Sequence, residues 1–190
     1  MRHDGGMPRH IALLRGINVG GANRVPMADL RTVVESLGHR DVATYIQSGN
    51  VVFTAPRTAA AKLASGLEAG IDKQLGIRCT VVVLTRSELE QVAADNPFPD
   101  EPNPKFVHAV FRQDPLTADD RAHVREAGER AAAKGSPDTV QIVGRTVFLH
   151  TPKGLGRSAL AVELGRRKGP DETTTRNWAT VTKLLSLLAD

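Results

Sequence analysis

Ile11-Ala12-Leu13-Leu14-Arg15-Gly16-Ile17-Asn18-Val19-Gly20-Gly21 runs from a short apolar stretch into a glycine-rich loop, and the residues after it read as a helix. Four apolar residues are too few to alternate, so Ile11–Leu14 is expected to be a central strand buried on both faces. Pro26 suits a first helical position, where its missing N–H would have had no partner. Met27, Leu30, Val33, Val34 and Leu37 then recur at helical spacing, and Gly38 can take a left-handed terminal conformation.

Working outward, residues 42–53 are β-branched and aromatic but interrupted by Ser48-Gly49. This predicts two antiparallel strands with Gln47 and Asn50 flanking the turn, or else one bulged strand. Residues 58–75 form a second helical pattern, and 79–84 a strand. Ser87 and Glu90 have capping-box spacing and open a short helix to about Ala94. Four prolines between Asp95 and Lys105 exclude helix or inner strand and mark a linker. The order then starts again: a strand over 106–111, a helix over 117–134 capped by Thr117, and two strands around Gly144-Arg145. Helices follow over about 156–168 and 175–188. Both halves run β-α-β-β-α, and only the first shows a clear closing strand. Their hairpins look alike, Gly49 to Pro56 against Gly144 to Pro152. The expected architecture is α+β, a ferredoxin-like (split βαβ) unit, duplicated, with a C-terminal helical extension. Its parts are a disordered lead-in (1–9), a first unit (10–95), a proline-rich linker (96–105) and a second, incomplete unit with the C-terminal helices (106–190).

The chain has 190 residues, 41% of them apolar and 24% charged, which is ordinary for a globular protein. No apolar run reaches the ~20 residues of a membrane helix, and the start lacks a signal peptide's apolar segment. With a single cysteine, Cys79, no internal disulfide can form, and a cytoplasmic location is expected. Residues 1–144 hold 17 basic and 17 acidic side chains, whereas 145–190 hold 8 and 4. The whole net charge of +4 is therefore at one end, which favours an acidic partner or a solvated basic face.

Four motifs span the chain in order: Leu13 to Gly21, Tyr45-Ile46-Gln47-Ser48-Gly49-Asn50-Val51-Val52-Phe53, Thr151-Pro152-Lys153-Gly154-Leu155-Gly156-Arg157-Ser158, and Thr174-Thr175-Arg176-Asn177-Trp178. Together they closely resemble a bacterial family catalogued as a domain of unknown function. The resemblance implies an α+β fold of ferredoxin-like type. It implies no activity and carries over no catalytic residue.

Three stretches have the residue types of an anion site. In the first, Arg15, Asn18, Gly20 and Gly21 precede a helix, where exposed backbone N–H groups and the helix dipole favour negative charge. The spacing matches neither the dinucleotide fingerprint nor the Walker loop, and glycines that merely turn the chain are the plain alternative. In the second, Lys153, Gly154, Gly156, Arg157 and Ser158 open a helix with two cations and a hydroxyl. In the third, Arg176 and Asn177 fall in an expected first helical turn, where a cation opposes the dipole unless an anion is near. Gln47 and Asn50 either serve their turn or orient a ligand. Trp178 is expected in the core, and Arg166-Arg167-Lys168 is expected to compensate a helix C-terminus. The six histidines show no metal-ligand spacing, and no serine elbow occurs, so neither metal nor cofactor is expected.

Three functions remain: binding of a phosphorylated small molecule, nucleotide or nucleic acid; a small enzyme acting on a phosphorylated substrate; and a non-catalytic interaction module. The first is preferred, because three turns each combine glycine or threonine with a cation. The first strand lacks the aromatic residues by which a ferredoxin-like sheet stacks RNA bases. No membrane partner is expected, and oligomeric state is not encoded in any motif.

Overall fold

The structure, a computed structural model, describes residues 7–21, 23–167 and 172–189. The strands are β1 (Arg9–Arg15), β2 (Arg40–Tyr45), β3 (Asn50–Thr54), β4 (Thr80–Thr85), β5 (Val107–Arg112), β6 (Thr139–Val143), β7 (Thr146–His150) and β8 (Thr173–Asn177). The helices are α1 (Met27–Ser36), α2 (Ala60–Leu75), α3 (Arg86–Ala94), α4 (Ala118–Ala133), α5 (Ala159–Leu164) and α6 (Trp178–Ala189), with one 3-10 turn at Leu155–Arg157. The chain divides into two compact units, residues 1–90 with 184–190, and residues 91–183.

Unit 1 has one antiparallel sheet in the order β2-β3-β1-β4, the ferredoxin-like order. As its apolar run predicts, β1 lies between two neighbours and is buried on both faces from His10 to Leu14. Ala12, Leu14, Val51, Phe53, Val81 and Val83 form one face and pack against Leu30, Val33 and Val34 of α1 and Leu63, Leu67 and Ile71 of α2. Each such side chain contributes roughly 1.5–3 kcal/mol on burial. The edge strand β4 is protected from within: Val81 N–H donates to Glu68 and Thr85 N–H to Glu88, both at 2.8 Å. Glu88 N–H in turn donates to Thr85 Oγ1, so the capping box that opens α3 is Thr85/Glu88 and not the expected Ser87/Glu90. Glu90 instead pairs with Arg86 at 2.7 Å.

Unit 2 has a second antiparallel sheet, β6-β7-β5-β8, in the same order. The duplication expected from the sequence is thus present, together with a C-terminal helix. The second half also has its closing strand. β8 occupies residues expected to begin the last helix, and its backbone pairs with β5 from His108↔Asn177 to Arg112↔Thr173. Three consecutive threonines suit a strand better than a helical turn, because their branching restricts χ1.

The hairpin resemblance is real but aligns differently. Matching Gly49 to Gly144 equates Phe53 with Phe148. Strand pairing instead equates Phe53 with Leu149, since these lie opposite His10 and His108. Phe53 and Leu149 both face the helices of their unit, and a one-residue slip would reverse every side chain.

The segment 96–105 falls inside unit 2 and is tied to it. His150 Nε2 lies 2.6 Å from Glu101, its ring centroid lies 5.3 Å from that of Phe98, and Trp178 N–H donates to Pro104 O at 3.0 Å. Of the expected lead-in, residues 1–6 lie outside the described residues, while Arg9 already belongs to β1. Lys168 also lies outside them.

Candidate functional site

The two N-terminal motifs meet. Leu14 N–H donates to Gly49 O at 2.8 Å, which places the β2–β3 turn against the loop that leaves β1. Gly49 is required there: a Cβ would lie 2.8 Å from both Leu14 Cβ and Ile17 Cδ1, at a φ of +77°. Asn18 fastens the junction. Its amide donates to Val25 O (3.0 Å) and Gln47 O (2.9 Å), and its side-chain oxygen accepts from Val25 N–H (2.8 Å). Asn23 closes the loop by donating to Gly16 O at 2.9 Å. Asn50 is fully buried and donates to Tyr45 O and Ser48 Oγ, so its amide serves the turn. The Asn18 and Asn50 amides thus hold the turns together, and Gln47 takes part through its carbonyl.

The loop is strongly left-handed. Asn18, Gly20, Gly21 and Asn23 all have φ between +49° and +80°, which these residue types tolerate best. Ile46, in the facing turn, has φ +50° and is a different case. A β-branched residue in this region is strained by roughly 1–2 kcal/mol. Downstream, α1 starts after Pro26 with no side-chain cap among the described residues. Arg24 is exposed beside this start. Arg15 is placed differently: by alternation along β1 it belongs to the face of Ile11 and Leu13, opposite the face that packs on α1.

The second stretch has an anion, but it is the protein's own. Asp138 accepts from Ser136 Oγ and Ser158 Oγ at 2.8 Å and from Leu160 N–H at 3.3 Å, at the start of α5. Ser158 is also the N-cap, accepting from Ala161 N–H at 2.9 Å. Gly154 bends the chain at φ +83°, and Gly156 lies in the 3-10 turn. Lys153 and Arg157 are exposed, with Arg157 Nε donating to Lys153 O.

The third stretch is corrected by the strand. Arg176 lies within β8, buried, with one guanidinium nitrogen donating to Thr174 Oγ1 (2.7 Å) and Thr175 O (2.9 Å). Burial pulls its pKa down to about 10. Asn177 caps α6 by accepting from Thr180 N–H at 2.9 Å. Neither opens a helix in the way the sequence suggested.

Besides Asp138, sequence reasoning missed the partners of two further buried carboxylates in unit 2. Asp120 closes a capping box with Thr117 and accepts from Arg112 (2.5 Å) and Arg167. Burial alone would raise its pKa, but the Thr117 hydrogen bonds, Arg167 and the Arg112 charge outweigh it and hold the carboxyl well below the usual range. Glu163 accepts from Lys134 (2.5 Å) and Arg130 (2.9 Å), with Arg166 at 3.6 Å, and these cations likewise lower its pKa. Arg166 and Arg167 are thus ion-pair partners as well as residues near a helix end. The sequence signal was Asp119-Asp120 after Thr117, visible as a helix start but silent on its partners.

Cys79 is half-buried, and burial, with Glu68 and Asp72 nearby, pushes its thiol up to about 11, so it is no nucleophile at neutral pH. Among the described residues no group of three His, Cys, Asp or Glu could hold a metal, and no helix is long and apolar enough to cross a membrane.

A pair of ferredoxin-like sheets of this order, joined in one chain, defines the class. The chain belongs to the family described as "Protein of unknown function (DUF1697)", which it matches over residues 7–148. The Lys153 and Arg176 motifs lie beyond the matched residues. Among solved structures it is similar to the conserved bacterial protein SP0830 from Streptococcus pneumoniae, at 25% identity and a TM-score of 0.72 over 96% of this chain and 99% of that one. No curated protein matches it.

Proposed function

We propose that the protein binds an anionic, phosphorylated ligand at the loop between β1 and α1. The observation that carries this is a difference among helix starts. In unit 2 the first turns of α4 and α5 are each closed by a carboxylate of the chain, Asp120 and Asp138. In unit 1 the first turn of α1 has no side-chain cap, follows Gly20-Gly21 and stands beside exposed Arg24. The loop itself, residues 13–28, contains no acidic side chain, and the first turn of α1 carries one, the exposed Asp29. First-turn N–H groups, left-handed glycines and a guanidinium form a set of donors suited to phosphate oxygens. Lys153 and Arg157 are not assigned to this site, because the helix start nearest them already holds Asp138.

Calorimetric titration with pyrophosphate tests the reading. Arg24→Ala is expected to weaken binding about ten-fold or more, the scale of one charge-assisted hydrogen bond, while Arg157→Ala leaves it unchanged. Absence of binding at millimolar pyrophosphate, or equal binding by Arg24→Ala, contradicts it. Affinity for oligonucleotides that falls steeply with salt would extend the ligand class to nucleic acid.

A further inference from the structure

Four strands border the two sheets, and three of them are guarded. A bare edge presents a row of backbone N–H and C=O groups, which proteins blunt with charge, bulges or borrowed acceptors. β2 carries Arg40 and Asp41, and its register with β3 shifts between Arg40 and Ala43, with Asp41 at φ +52°. In β4 the N–H groups of Val81 and Thr85 are taken by Glu68 and Glu88. β8 carries the buried charge of Arg176. β6 has none of these devices. Its sequence, Thr139-Val140-Gln141-Ile142-Val143, contains no charge and no proline, pairs with β7 without a register break, and leaves Thr139 and Gln141 exposed.

The two-residue turn Gly144-Arg145 fixes which backbone groups of β6 are free. Val143↔Thr146 closes the hairpin as a hydrogen-bonded pair, so by alternation Gln141 and Thr139 also bond to β7. The N–H and C=O groups of Val140 and Ile142 then point away from the sheet, and they meet no partner among the described residues. Their spacing suits the same strand run backwards: Val140 bonds Ile142 of a second copy, Ile142 bonds its Val140, and Gln141 faces Gln141 on a two-fold axis. The helix above β6 is complementary to itself in the same way. α4 rests on β6 through Gly128, where an added Cβ would lie 2.9 Å from Val140 Cγ1, and Val124, Ala127 and Ala131 turn into the core. By helical spacing, the exposed Arg125 and Glu129 lie on the opposite flank, beyond the edge. The two-fold axis reverses their order and sets Arg125 of one copy beside Glu129 of the other. We propose that β6 is a dimerisation edge, through which two copies of this chain join antiparallel into one continuous sheet with the helices of both on the same side. Val140 and Ile142 then also form β-branched cross-strand pairs.

Position 141 meets itself only in this arrangement, so a charge placed there is diagnostic. In sedimentation equilibrium at low salt, the wild type is expected to approach twice the mass of one chain by about 1 mM, since an edge of this length makes a small interface. Gln141→Lys and Gln141→Glu each set like charges face to face and should raise the dimer Kd about ten-fold or more. An equimolar mixture of the two variants pairs opposite charges and should associate about ten-fold or more tightly than either alone. Gln141 is exposed, so both variants should melt close to the wild type, which confirms that they fold. Hydrogen exchange at the Val140 and Ile142 amides should slow as wild-type concentration rises. A wild type that stays monomeric at about 1 mM overturns the proposal. So does a dimer that Gln141→Lys leaves unchanged, or a mixture that associates no better than its components, because either result puts the contact on another surface.

Discussion

Unit 1 and unit 2 share one strand order but finish their helices differently. In unit 2, α4 and α5 begin on Thr117 and Ser158, and each start draws in a buried carboxylate with further partners. In unit 1, α3 opens with the Thr85/Glu88 capping box, but α1 and α2 begin on Pro26 and Ala59 with no side-chain cap among the described residues. A helix leaves its first N–H groups without intrahelical partners, and it is stabilised by whatever accepts from them. Unit 2 has met that need internally and gained stability. At α1 and α2 unit 1 leaves it to other acceptors, and α1 adds a glycine loop, Arg24 and, within its first turn, Asp29. The comparison is what marks the α1 loop as the proposed site, which composition alone could not do.

The largest effect that can break this contrast is at Asp120. Asp120→Ala removes a cap and leaves Arg112 and Arg167 without their shared carboxylate. It should cost about 3 kcal/mol in denaturant unfolding, at the low end for a buried pair because Arg167 is half in water. A loss below ~1 kcal/mol would mean that the cluster is incidental. Asp138→Ala leaves two hydroxyls and Leu160 N–H short of an acceptor and should cost about 1–3 kcal/mol by the same assay.

Acid should act on both units. His10 and His39, against Phe53 in unit 1, and His108 in unit 2 have pKa values lowered chiefly by burial. The unfolded chain then binds protons more readily than the folded one below about pH 6.5. Stability is therefore complete above that pH and declines as pH falls toward the folded values, by up to ~1.4 kcal/mol per pH unit for each imidazole. Melting curves between pH 7.5 and 5 check this, and His10→Phe should flatten the decline. The lowered carboxyls of Asp120 and Glu163 add a separate loss only below their unfolded values, near pH 4.

The smallest change in stability is the most informative about the site. Pro26→Asp gives α1 the kind of cap that unit 2 has. It should raise stability by ~0.5–1 kcal/mol and weaken pyrophosphate binding at least several-fold, because the new carboxylate takes the same N–H groups. Stability and binding that rise together would contradict competition.

Much of the fold was legible because it rests on local pattern. The apolar run at Ile11–Leu14, the Thr117 start and the turns at Ser48-Gly49 and Gly144-Arg145 were each readable from short-range chemistry. Failures occurred where long-range pairing decides. Thr173–Asn177 is a strand because β5 offers it a partner, and nothing within Thr-Thr-Thr-Arg-Asn announces that. Lys153–Ser158 has the residue chemistry of an anion site, but Asp138 lies twenty residues before Ser158 and its arrival depends on the fold. For Asn50 turn and ligand roles both stayed open, because a sequence does not show which backbone groups a turn leaves to be satisfied; the fold spends the amides of Asn18 and Asn50 on such groups. The exposure and positive φ of Ile46 had no signature at all.

Amide-resolved NMR during a pyrophosphate titration tests the central claim most directly. Shifts concentrated at Gly20, Gly21, Met27 and Ala28, with the amides of Leu160 and Ala161 unmoved, are the result expected of an open helix start in unit 1 and a closed one in unit 2. Shifts centred on Leu160 and Ala161, or none in either region at saturating pyrophosphate, would contradict it.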